Sequence, residues 1–230
     1  MLKLTKRYRA AQESADLGKE YTVEEAVEVL GNMPKAKFDE TVEISMKLLV
    51  DPRKGDEMVR GTVMLPHGSG KSVKVLAFTS DPEAAKKAGA AEAGLEDMIE
   101  KIQDGWMDFD VAVATPDAMK EVRKIARVLG PKGLMPNPKA GTVSPKIEDA
   151  IKEVMAGRVE FKLDKGANLG VGIGKRSFSK EQLVENVRAL MEAIGKARPQ
   201  NFKGAYIRSA SVSATMTPGI RIAGSEYSQY

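Results

Sequence analysis

The sequence predicts an α/β protein of two parts: an α+β domain built from both ends of the chain, and an inserted Rossmann-like domain. Three observations lead there. Residues Val42 to Val50 alternate apolar and polar, the mark of a strand with one buried face. Between residues 68 and 157, strands alternate with helices of about 10 residues, which indicates a parallel sheet inside a three-layer α/β sandwich. After Gly157 the pattern returns to long strands and one long helix. The expected domains are therefore 1–67 with 158–230, and 68–157. The first is a split sheet packed with helices.

The elements follow in order. Residues 3–10 read as a basic arm containing Arg7. Thr22 and Glu25 form a capping box on a helix whose stripe is Val23, Ala26, Val27 and Leu30. The strand that follows is expected to start at Lys37. Its inward side is Val42, Ile44, Met46, Leu48 and Val50. Its outward side is Thr41, Glu43, Ser45 and Lys47, with Phe38 at the edge. Two readings fit that outward side: a solvated face, or a platform for nucleic acid. Asp51-Pro52 with Arg53 makes a turn, and Met58 to Leu65 returns as a strand.

Pro66, His67 and Gly68 open a breaker cluster and make the first candidate hinge. The alternating block then reads as strand Val73–Phe78, helix from Asp81-Pro82, helix Leu95–Gln103 and strand Phe109–Ala114. A helix after Thr115-Pro116 runs to Leu129, and a last one runs from Ser144-Pro145 to Gly157. Gly157 and Arg158 form the second hinge candidate. Strands Val159–Leu163 and Leu169–Ile173 are joined by a turn holding Lys165. Ser179 and Gln182 cap a long helix to Ala197. The last strand, Gly204 to Met216, is expected to place Tyr206, Arg208, Ala210, Val212, Ala214 and Met216 on one side.

Composition narrows the chemistry. The 230 residues include no Cys and one His, so thiolate metal sites and disulfides are excluded and a catalytic triad has little material. No cofactor is expected. No apolar stretch is long enough to span a bilayer, and the basic start lacks an apolar run behind it, so a cytoplasmic protein without a membrane partner is expected. The net charge is +4, and it is unevenly placed. The outer segments together carry +5, the middle −1. Excess positive charge on one domain suits a polyanion.

Gly68 to Ser72 resembles the end of a phosphate-binding loop, but the first Gly of that pattern would be position 65, which is Leu65, and a strand follows instead of a helix. Gly170, Gly172 and Gly174 lack a third Gly at position 175, so packing against another backbone is the expected role. The loop from Gly130 to Thr142 holds three prolines, three glycines, Lys132 and Lys139. Its fixed shape would let both lysines meet phosphates; the other reading is a rigid structural loop. Ser209 through Thr215, Met216, Thr217 and Gly219 set hydroxyls beside a flexible apolar side chain, which fits either contact with RNA or a serine-rich solvated strand. Arg7, Arg53 and Lys165 join Lys132 and Lys139 as secondary candidates.

At this extent the chain resembles a known family. Its carriers are KRYRA at Lys6–Ala10, KFDETVE at Lys37–Glu43, VRGTVMLPHGSGK at Val59–Lys71, DGWMDFDVAVATPD at Asp104–Asp117, LGPKGLMPNPKAGTV at Leu129–Val143 and Thr215-Met216. It is similar to bacterial members of the universal large-subunit ribosomal protein family numbered one, the protein of the mobile lateral stalk. The resemblance implies a non-enzymatic protein, monomeric within the ribosome, whose discontinuous domain binds the stalk region of large-subunit rRNA. By position it assigns RNA contact to Lys37, Phe38, Thr41, Ser209, Thr215 and Met216. It also implies exit-site tRNA and the leader mRNA of its own operon as partners. One departure stands out: many members carry Gly after the Thr-Met pair, where this chain has Thr217.

Overall fold

The computed structural model describes residues 4–200 and 202–230, and the side chain of Lys139 lies outside the described residues. The chain divides into two compact units. One runs to Lys71 and resumes at Val159; the other spans Ser72 to Arg158.

The first unit begins with α1 (Lys6–Glu13) and α2 (Val23–Asn32). From Lys6 on, the basic arm is thus a helix, capped by Thr5, whose hydroxyl accepts from Tyr8 N; Lys3 lies outside the described residues. Only Ala11 of α1 is buried, which is why no apolar stripe announced it. Then come β1 (Thr41–Leu48) and β2 (Arg60–Met64). After the second unit the chain continues through β6, β7, α8, β8 and β9, which are Arg158–Lys162, Asn168–Lys175, Lys180–Lys196, Ile207–Ala214 and Ile220–Ile222. Four strands form a sheet in the order β7-β1-β8-β9, and β2 pairs with β6 separately. β1 is antiparallel to both neighbours.

The alternation in β1 is realised as read: Val42, Ile44, Met46 and Leu48 are buried under the helices. α8 starts where its capping box lies, with Ser179 Oγ accepting from Gln182 N and Gln182 Oε1 accepting from Ser179 N. Leu183, Val187, Leu190, Met191 and Ile194 then fill the core.

Register corrects three readings. β8 shifts against β1 between Lys47 and Leu48, so Ser209 opposes Lys47 while Ile207 opposes Leu48. The unpaired residue is Arg208, which is therefore exposed beside Ser209 instead of sharing a side with Ala210; Met216 leaves that side too, because β8 ends at Ala214 and Met216 is exposed in the turn that follows. β7 shifts between Val42 and Glu43. Gly174 consequently faces the core, while a Cβ on Gly170 would meet nothing within 4 Å and one on Gly172 only the Thr41 methyl at 3.5 Å. Close packing is found at Gly174 alone, and there against the Phe178 and Leu183 side chains instead of another backbone. Finally, β1 begins at Thr41, and Lys37 and Phe38 lie in a bend before it.

In the second unit β3 (Val75–Phe78), β4 (Glu92–Gly94) and β5 (Val111–Ala114) form a parallel sheet in the order β4-β3-β5. Around them are α3 (Pro82–Lys87), α4 (Glu96–Gln103), α5 (Met119–Val122), α6 (Ala126–Leu129) and α7 (Ile147–Met155). Successive strand residues alternate between two cores. Leu76, Phe78, Ala112 and Ala114 pack with α4, α5 and α6; Val75, Ala77 and Val113 pack with α3 and α7. Helices on both faces explain why these strands read as continuous apolar runs.

Candidate nucleic-acid interface

The paired ends of β1 and β8 bring together residues far apart in sequence. Thr41 N donates to Thr215 Oγ1 at 3.0 Å, and Thr215 N donates to Thr41 O at 3.0 Å. Lys175, at the end of β7, donates from Nζ to Thr41 Oγ1 at 2.9 Å. Its ammonium is thereby held at the sheet end. Sequence reasoning missed Lys175, which follows a glycine run with no pattern of its own. Phe38 is 55% exposed and Met216 46% exposed, both at this end of the sheet. The sheet end thus offers a ligand two large apolar side chains together with hydroxyls and a cation.

The bend that carries Lys37 and Phe38 is held from below. Buried Arg176 donates to Glu40 Oε2, and also to the carbonyls of Leu30 and Met33 at the end of α2 and of Pro34. Glu40 in turn accepts from Ala36 N at 3.1 Å. Asp39 accepts from the amide and the hydroxyl of Ser177. Arg7 points its guanidinium at Glu40, 3.7 Å away, so it belongs to this buried network as well as to the rim.

Thr217 closes its own turn. Its hydroxyl accepts from Ala214 N at 2.8 Å, and its amide donates to Ala214 O at 3.1 Å. The only non-glycine residue with positive φ among the described residues is Ala167, so Thr217 needs no glycine-like backbone. Gly219 is exposed and would tolerate a Cβ, which would lie 3.8 Å from Ser211.

The remaining candidates spread out. Ser209 sits opposite Lys47, six residues along β8 from Thr215, or about 20 Å at the rise of a strand. Lys165 lies at that far end, in the turn where Lys47 Nζ donates to Gly166 O. Arg53 is exposed, its amide held by Asp51 Oδ1. The outward face between the two ends has Gly172, Glu43 and Ser213 in one row, and Gly170, Ser45, Ser211 and Arg221 in the next. Hydroxyls and bare backbone dominate it, with one carboxylate, Glu43, and one guanidinium, Arg221.

The hinge candidates are partly tied down. Buried Asn186 of α8 accepts from His67 N, and donates to Gly68 O and Ile173 O. His67 Nε2 lies 2.6 Å from Glu185 Oε2, a carboxylate that is remote in sequence. Gly68 and Gly157 both have positive φ. Arg158 pairs with Glu153 and packs under Gly141, where a Cβ would come within 2.6 Å of its Cζ. Lys132, in the Pro/Gly loop, lies 2.7 Å from the Met107 sulfur. Among the described residues no three acidic or His side chains are placed to hold a metal, and no helix is long and apolar enough to cross a membrane.

Residues 29–218 match the model of the Ribosomal protein L1p/L10e family. The chain belongs to that family. Among the relatives of the family is the large ribosomal subunit protein uL1 of Protochlamydia amoebophila, 50% identical over 220 residues, covering 95% of this chain and 93% of the relative. The protein of the same name from Kosmotoga olearia is 50% identical over 224 residues, with 96% and 97% covered. That of Clavibacter sepedonicus is 51% identical over 220 residues, with 95% and 96% covered. Family membership makes the chain a ribosomal protein and not an enzyme.

Proposed function

We propose that the chain binds large-subunit rRNA through the first unit, at the sheet end where Thr41, Lys175 and Thr215 converge. The observation that carries this reading is the exposure of Phe38 and Met216 beside that cluster. RNA is recognised by shape, stacking on aromatic rings and contacts to 2′-hydroxyls. Phe38 supplies a ring, Met216 a flexible apolar contact, and the threonines donors and acceptors. Lys37 and Lys175 meet phosphates, which position the complex without reading sequence. Ser209, Lys165 and Arg53 extend contact along the face. Thr217 and Gly219 shape the turn that presents Met216.

The resemblance to the stalk family extends the reading. The chain sits in the mobile stalk as a monomer, assists the release of deacylated exit-site tRNA, and represses its own operon by binding a leader mRNA that mimics the rRNA site. The segments at Pro66–Gly68 and Gly157–Arg158 serve as the joints between the two units. As a ribosomal protein of this family, the chain is part of the cytoplasmic ribosome.

Filter binding to deproteinised large-subunit rRNA tests the site. Met216→Asp weakens binding while leaving the thermal transition nearly in place, and Thr215→Ala weakens it at the cost of one hydrogen bond, a small drop in stability without unfolding. Unchanged affinity in both variants would reject the assignment.

A further inference from the structure

The inserted unit is close to neutral, yet its charges are segregated. The stretch 119–142 holds six of the unit's 13 Lys and Arg, and one of its 14 Asp and Glu. The remainder of the unit is correspondingly acidic.

The fold makes a face from that stretch. α5, a 3-10 turn and α6 form one helical run that buries Val122, Ile125 and Leu129. The opposite side exposes Lys120, Arg123 and Arg127. Offsets of three, four and seven residues put them on one side of a helix. Lys124 is drawn to Glu121. Among the described residues no carboxylate pairs with the other three. Like charges so placed repel each other by a few tenths of a kcal/mol per pair, and nearby acids would have relieved this. The three span about 10 Å at the helical rise. A nucleic-acid strand carries one charge per about 3.4 Å of axis, so the row matches roughly three phosphates. A protein partner fits less well. Interface cores need apolar or aromatic anchors, and the exposed large hydrophobics all lie outside 119–142.

We infer that Lys120, Arg123 and Arg127 form a second RNA contact, one that grips phosphate backbone without reading sequence. It rests on the chain meeting RNA, but not on the sheet-end site of the first unit.

The test uses the full chain with Lys120→Gln, Arg123→Gln and Arg127→Gln combined. The probes are a short mixed-sequence RNA duplex and deproteinised large-subunit rRNA, titrated from about 50 to 300 mM KCl. The slope of log affinity against log salt falls by about two to three in the variant, and duplex affinity at low salt drops at least about tenfold. The circular dichroism melt stays in place. Met216→Asp behaves differently: it weakens rRNA binding and leaves the duplex untouched. A variant with unchanged slope and affinity for both RNAs would overturn the inference, even with the sheet-end site intact. So would competition by polyglutamate as effective as by the duplex, since the face would then select charge alone. If Met216→Asp has no effect while the triple variant does, the sheet-end assignment falls and this one stands.

Discussion

Arg176 Nη1 lies 2.7 Å from Glu40 Oε2, with the two side chains 5% and 0% exposed. The same guanidinium closes the end of α2 by donating to Leu30 O at 2.8 Å and to Met33 O. One side chain thus joins the end of a helix, the bend carrying Lys37 and Phe38, and the start of β1. Breaking a buried pair by removing one partner leaves an uncompensated charge and costs about 3–5 kcal/mol. Arg176→Met is expected to lower the unfolding free energy by about that amount in urea titration. Arg176→Lys should recover less than half of the loss, because an ammonium lacks the planar fork that reaches several acceptors at once. A lysine variant with full stability would show that charge alone suffices.

The Thr41–Thr215 pairing makes a smaller claim. Thr215→Val keeps shape and removes the acceptor for Thr41 N. A lost hydrogen bond of this kind is worth about 1 kcal/mol, so a modest drop in stability is expected, measured by urea unfolding. Thr215→Ser keeps the oxygen and should match the parent protein.

The glycines of β7 separate stability from binding. Gly174 has φ +154°, and a Cβ there would meet Phe178 at 2.9 Å and Leu183 at 3.0 Å. Gly174→Ala is expected to cost about 2 kcal/mol through overpacking. Gly170 faces open space, and Ala there should stabilise the strand by about 0.5 kcal/mol, because glycine loses more backbone freedom on folding. A larger Gly170→Leu should fold normally and weaken rRNA binding if the bare backbone is approached by RNA. Calorimetric melts with parallel binding titrations distinguish the two effects.

What could be read from sequence followed local physics. The alternation of β1 was visible because a single buried face forces a period of two. The caps of α2 and α8 were visible because their partners are three residues apart. Interactions at long separation were not visible. Lys37 and Phe38 resemble the start of a strand until Arg176, 136 residues beyond Glu40, pulls the segment into a bend. Arg208 alternates correctly in the sequence and is displaced only by the shift against Lys47 and Leu48. β4 and β9 contain three residues each, too few to show a period. The meeting of Thr41 with Thr215 is a matter of register, and no local pattern in either strand specifies it. Family resemblance supplied that pairing of motifs; the residues alone offered two polar faces with no stated relation.

Two groups give opposite pH dependences. Asp164 accepts from the backbone and side chain of Asn168 and from Gly166 N. These bonds hold its carboxyl below the ordinary value of 3.8. Its folded pKa is depressed, so its contribution is present above the unfolded pKa and is lost as pH falls through the folded one. Tyr206 is the reverse case. Burial pushes its phenol from 10.0 up to about 12. Its contribution is complete below about pH 10 and is lost as pH rises toward 12. Two pK units correspond to about 2–3 kcal/mol. Tyr206→Phe cannot ionise, so its stability relative to the parent protein should improve by that amount between about pH 9.5 and 12. Asp164→Ala should leave this alkaline limb unchanged and make the acid one only slightly shallower, because Glu28, Glu57 and Glu181 are held below their ordinary values as well. Urea unfolding across the pH range measures both, and an alkaline limb that is the same with Phe at position 206 would show that another group causes it.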